Sequence, residues 1–185
     1  RNASIAIAVV AMLFMSVTTV RQTTLWGNAL DQAYAAVEQH PDSPGAQSNL
    51  VEKLSQAGQF QVAFDYHMTV FDSEELTISP YIRWLEFSCI LPGIEPPQDE
   101  TLRRQSGQAP HDYGVIFSLN NLVFGILEGR CPNAPLGKIQ LVLSELTANE
   151  NFSVSQADLL FYSALLAASA EDFSAAAALA TESFS

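Results

Sequence analysis

Positive charge is scarce in this chain, where 8 Lys and Arg face 20 Asp and Glu over 185 residues for a formal net charge of −12. A phosphate-binding surface needs clustered cations that release counterions, and apart from the adjacent pair Arg103-Arg104 there is no such cluster, so a nucleic-acid role is disfavoured. Histidine is also sparse. His40, His67 and His111 stand far apart, and none forms the i, i+4 pair beside a helical Glu that one common zinc site uses, so no bound metal is expected. A serine nucleophile elbow, a phosphate-cradling glycine loop and a dinucleotide fingerprint are all missing. The residues therefore suggest no cofactor and no catalytic group, and a chemistry contained within this segment is disfavoured.

Cysteine is limited to Cys89 and Cys131. Joined, they would close a loop of about 40 residues, worth roughly 4 kcal/mol in the chain-entropy treatment. Unjoined, both are small apolar residues suited to burial. An even count in an oxidising compartment favours the bridge, and a reducing cytoplasm opposes it.

What the chain does have is an uncharged run over residues 3–20. As a helix at 1.5 Å per residue it covers roughly 27 Å, close to a hydrocarbon core of about 30 Å, so a membrane-spanning helix is expected over residues 3–22, with Trp26 as an interfacial aromatic just beyond. A secretory signal fits less well, since the run ends Val17-Thr18-Thr19-Val20-Arg21 without a small-residue cleavage site. Arg1 and Arg21 oppose each other, so the positive-inside tendency gives only a lean toward an extracytoplasmic domain. An opening Arg and an ending inside a helical pattern suggest a piece of a longer protein.

Beyond residue 22 the apolar spacing is helical and nowhere convincingly alternating. Ala29, Ala33 and Ala36 share one helical face. Ser79 to Phe87 starts a helix with Pro near its first turn. Leu91-Pro92-Gly93-Ile94-Glu95-Pro96-Pro97 cannot continue it, and residues 92–110 read as an inserted loop. Tyr113 to Glu128 carries Ile116, Leu119, Leu122, Val123, Ile126 and Leu127 at helical spacing, with Gly129 as C-cap. Helices are expected again over 136–146, 155–170 and from Phe173 onward. His111-Asp112-Tyr113 opens a helix after Pro110, where Asp suits the first-turn dipole. The carboxylates Asp72, Glu74 and Glu75, and again Asp99 and Glu100, read as solvated turns.

Residues 44–75 resemble a tetratricopeptide repeat, with Leu50 and Leu54 at large positions of a first helix, Gly58 at the turn and Ala63 at the small crossing position of the second. Ala29, Ala36 and Pro41 match a preceding half-unit, and Ala176 after the Glu171-Asp172 turn matches a late one. Departures are Val51 for a small residue, His67 for an aromatic and Glu75 for the closing proline. The resemblance implies an all-α, short tetratricopeptide-like solenoid over residues 23–185 with a degenerate middle, in which Tyr66, Tyr81 and Trp84 line a peptide groove. A final span, Arg21, Leu25-Trp26, Pro41 and the 49–63 match are also similar to the carboxy-terminal region of polytopic bacterial inner-membrane proteins related to lipid-linked-sugar glycosyltransferases and O-antigen ligases. Two functions follow as expectations. One is a membrane-anchored scaffold that binds a protein or peptide partner. The other is a periplasmic accessory domain of a transferase whose catalytic part lies elsewhere.

Overall fold

The computed structural model describes residues 27–71 and 77–183, together with Met12, Met15 and Ser16. The predicted span over 3–22 lies outside the described residues except for those three helical positions, and no described helix is long and apolar enough to cross a membrane. Among the described residues the chain is all helix, without strands. It divides into two compact units at Val70/Phe71, each taken by itself below.

The first unit contains α1 (Ala29–Gln39), α2 (Pro44–Gln56) and α3 (Phe60–Val70). Local signals set each start. Asn28 Oδ1 accepts from the backbone N–H of Leu30 at 3.0 Å, and Ser43 Oγ accepts from that of Ala46 at 3.4 Å with Pro44 at the first helical position. Helix α2 buries Leu50, Val51 and Leu54, with Leu54 one turn on from the adjacent pair, and α3 buries Ala63 and His67 at i, i+4. The two helices pack as a hairpin whose tight connection depends on Gly58, at φ 75°, while the Gln59 N–H returns to Leu54 O at 2.9 Å. An L-residue is disfavoured at that φ, so glycine is the economical choice there.

The second unit contains α4 (Ser79–Ile90), α5 (Asp99–Gln108), α6 (Tyr113–Leu127), α7 (Leu136–Ala148), a 3₁₀ helix (Glu150–Ser155), α8 (Gln156–Ser169) and α9 (Phe173–Ser183). Helices two apart in sequence are neighbours: α4 packs on α6 and α6 on α8, while α5 packs on α7. Helix α8 also contacts α7, the 3₁₀ helix and α9. Between these helices lies a core that includes Ile82, Leu85, Leu102, Leu119, Val123, Val142, Leu143, Phe152, Leu159 and Leu166. Burial of each such side chain contributes roughly 1.5–3 kcal/mol against the entropy of ordering the chain.

Helix α5 corrects the loop expected over 92–110. The connection after α4 is only residues 91–98, and Asp99 to Gln108 is helical. Pro96-Pro97 ends the loop instead of extending it, and the first turn carries Asp99 and Glu100, favourable at the positive end of a helix. Leu102, Gln105 and Ser106 form its buried face at i, i+3 and i+4. Across the α5–α7 contact Arg103 Nη1 meets Glu145 Oε1 at 2.6 Å, and Lys138 pairs with Asp99. Both pairs are partly exposed, so each is worth at most about 1 kcal/mol.

Candidate functional site

Polar chemistry inside the second unit serves the fold. Asn149, buried at the end of α7, donates through Nδ2 to Ser106 O at 2.9 Å and Ala109 O at 3.0 Å, while its Oδ1 accepts from the Asn151 N–H at 3.0 Å. Asn151 Nδ2 adds a bond to Ala109 O at 3.1 Å. One carboxamide thus saturates backbone groups that the end of α5 and the start of the 3₁₀ helix would otherwise leave unpaired.

His111 lies beside this clamp, its Nε2 3.1 Å from Ser155 Oγ and its ring packed on Tyr113 and Phe152, with centroids 4.7 and 5.2 Å away. The pair has the composition of a base and a nucleophile but not the setting. Ser155 is buried, and among the described residues no carboxylate orients the imidazole. Asp112 is the N-cap of α6, with Oδ1 accepting from the Gly114 N–H at 2.8 Å, as the first-turn reading of that residue anticipated. No group of three His, Cys, Asp or Glu among the described residues is placed to hold a metal.

Cys89, fully buried near the end of α4, is disulfide-bonded to Cys131 in the loop between α6 and α7, with Cα atoms 4.9 Å apart. The Asn133 N–H donates to Cys89 O at 3.3 Å, so the loop is held to α4 by covalent and hydrogen-bonded contacts. Gly129 starts that loop at φ 73°, with the Arg130 N–H returning to Gly125 O at 2.9 Å.

The residues expected to line a peptide groove fall in both units, Tyr66 in the first and Tyr81 and Trp84 in the second. Tyr81 belongs to the core of the second unit, and its Oη accepts from Gln105 Nε2 at 3.4 Å. Trp84 is half-buried, with Nε1 donating to Glu95 O at 2.9 Å and its ring edge-on to Phe71, centroids 5.9 Å apart. Phe71 also meets Tyr81 edge-on at 5.1 Å. Trp84 thus ties the 91–98 loop to α4, and Phe71 packs edge-on against both Trp84 and Tyr81. Tyr66 sits half-buried on α3 of the first unit, where desolvation raises its phenol pKa above the ordinary value. The repeat positions lie where helix packing needs them: Leu50, Leu54 and Ala63 are buried and Gly58 makes the turn.

An open face lies on α6 and α8. Tyr113, Phe117 and Phe124 recur at i, i+4 and i+11 on α6, exposed by 73, 67 and 37%. Phe161 on α8 is 40% exposed. The seam between the helices is bridged by Asn120 Nδ2, donating to Tyr162 Oη at 3.1 Å, and Asn120 stands one turn from both Phe117 and Phe124 while Tyr162 follows Phe161. Helix α6 has no charged residue from Tyr113 to Leu127. Sequence reasoning assigned its core face and passed over Phe117 and Phe124. The signal was present, because a surface helix normally carries charge on the side away from the core. Comparison with protein-family models, curated proteins and solved structures finds no match to this chain.

Proposed function

We propose that this chain is a non-catalytic helical scaffold that binds a segment of a partner protein and is held at a membrane by residues 3–22. The observation that carries the reading is the uncharged, aromatic α6–α8 face on a domain that is otherwise acidic. Contiguous exposed apolar surface on a small domain marks an interaction site more often than it is left idle. The pattern of α4, α6 and α8 as successive neighbours, with α5 beside α7, suits a tetratricopeptide-like solenoid, as do the hairpin of α2 and α3 and the small Ala63 at their crossing.

The Cys89–Cys131 pair favours an extracytoplasmic address, because disulfides persist in oxidising compartments. With the uncharged 3–20 run, this supports placement on the periplasmic side of a bacterial inner membrane. An accessory domain of a polytopic glycosyltransferase is the special case in which the partner is the membrane enzyme itself.

Chemical cross-linking of the intact protein in its own membranes, followed by mass spectrometry, tests the scaffold. Discrete protein adducts on surface residues of the described helices are expected. Exclusively intrachain products would overturn it.

A further inference from the structure

The α6–α8 face admits three kinds of occupant, namely a second copy of this chain, a lipid surface or a segment of another protein, and charge separates them. Asp112 stands at the start of α6 and Asp158 one turn before Phe161, and among the described residues neither takes part in an ion pair. Glu128, at the far end of α6, is paired with Arg130 at 2.7 Å. Of the five cations in the second unit, four are engaged in ion pairs: Arg83, Arg103, Arg130 and Lys138. Among the described residues, the carboxylates at the start of α6 and one turn before Phe161 thus have no cationic partner. An isologous dimer would set these carboxylates against their own copies on a chain of net charge −12, and like charges brought together at an interface are unfavourable. Anionic lipid heads would meet the same repulsion.

We infer that this face takes an amphipathic helix whose apolar side chains pack on Phe117, Phe124 and Phe161 and whose flanking residues are Lys or Arg, placed toward Asp112 and Asp158. The inference rests on the scaffold reading and adds to it a face and a partner chemistry. An amphipathic helix presents its apolar anchors as a stripe repeating every three or four residues, which can follow the i, i+4 and i+11 aromatics along α6. Basic flanks supply the ion pairs that these carboxylates lack, and they reject acidic competitors.

The test uses the whole 185-residue chain in zwitterionic nanodiscs at about 0.15 M salt, where bulk electrostatics reach only about 8 Å. The probes are an 18-residue Leu/Lys amphipathic helix and its Leu/Glu counterpart, each followed by fluorescence anisotropy with empty nanodiscs as reference. The Leu/Lys helix is expected to bind at least tenfold tighter than Leu/Glu. The double variant Phe117→Ser/Phe124→Ser is expected to lose at least tenfold in affinity, while Phe173→Ser on exposed α9 changes nothing. Phe117→Ser alone, at a side chain 67% exposed, keeps the wild-type melt and shows that lost binding is not lost folding.

Equal binding of the two probes, or Leu/Lys binding indifferent to the double variant, would overturn the inference. An environment-sensitive dye at Asn121→Cys is expected to report water in the absence of peptide. Emission already shifted to the blue would mean that lipid or a second copy covers the face, and would overturn it as well. Cross-links to partners elsewhere on the domain would leave the scaffold reading standing when this inference fails.

Discussion

Removing the Cys89–Cys131 bridge should have an effect large enough to be unmistakable. The two residues are 42 positions apart, and the loop-entropy relation for about 43 residues gives roughly 13 cal/mol/K, or about 4 kcal/mol at 25 °C. For a unit of roughly 115 residues this corresponds to a fall in melting temperature on the order of 10–20 °C. The assay is thermal unfolding followed by circular dichroism on Cys89→Ala, Cys131→Ser and the double variant, beside the wild type with and without a phosphine reductant. If the bridge is the source of stability, each single variant loses as much as the double, because either one opens the same loop. Two independent thiols would behave differently: Cys89→Ala would cost a small cavity in the core, Cys131→Ser almost nothing at its half-exposed site, and the two would add. Additive losses, or a reductant-insensitive melt, would refute the reasoning.

Further outcomes follow at four other positions of the molecule. Asn149→Ala should cost about 1–3 kcal/mol by leaving Ser106 O and the Asn151 N–H without their partner while Ala109 O keeps only Asn151 Nδ2, read by urea denaturation. Asn149→Asp should cost more at neutral pH, since a carboxylate would face those two carbonyls, and should recover stability as the pH falls and the acid becomes a donor; a loss independent of pH would contradict the clamp. Ala63→Leu should overpack the α2–α3 crossing and cost about 1–3 kcal/mol, and an unchanged melt would remove the close helix approach from the account. Glu171, at φ 62° between α8 and α9, should gain roughly 0.5–1 kcal/mol on replacement by Gly, measured as a raised denaturation midpoint. Alkaline unfolding checks Tyr66. Its raised pKa means that its contribution is complete below the usual tyrosine value and is lost as pH climbs through the folded pKa, so the decline should be shallower in Tyr66→Phe.

How far the sequence could be read depended on how local each signal was. The α2–α3 hairpin was legible because Leu50, Leu54, Gly58 and Ala63 each act within a turn or two of chain. Helix α5 was not, because Asp99 to Gln108 is almost wholly polar and its buried face includes Gln105 and Ser106, so periodicity of apolar residues had only Leu102 to register. The hydrogen bonds of Tyr81 and Trp84 were not legible, because they depend on Gln105 and on the carbonyl of Glu95, neither of which a one-dimensional pattern places against them. The exposed stripe on α6 was written in the sequence as a helix without charge. Which of its faces stays open depends on α4 and α8, which come from distant positions.

Site-specific photocrosslinking tests the central claim most directly. Benzoyl-phenylalanine would be placed in turn at Phe117, Phe161, Arg104 and Phe173 of the intact protein in its native cells. Discrete protein adducts at Phe117 and Phe161, absent at Arg104 on α5 and at Phe173 on α9, are the result expected of a scaffold that works through the α6–α8 face. Adducts spread equally over all four positions, or to lipid alone, would contradict it.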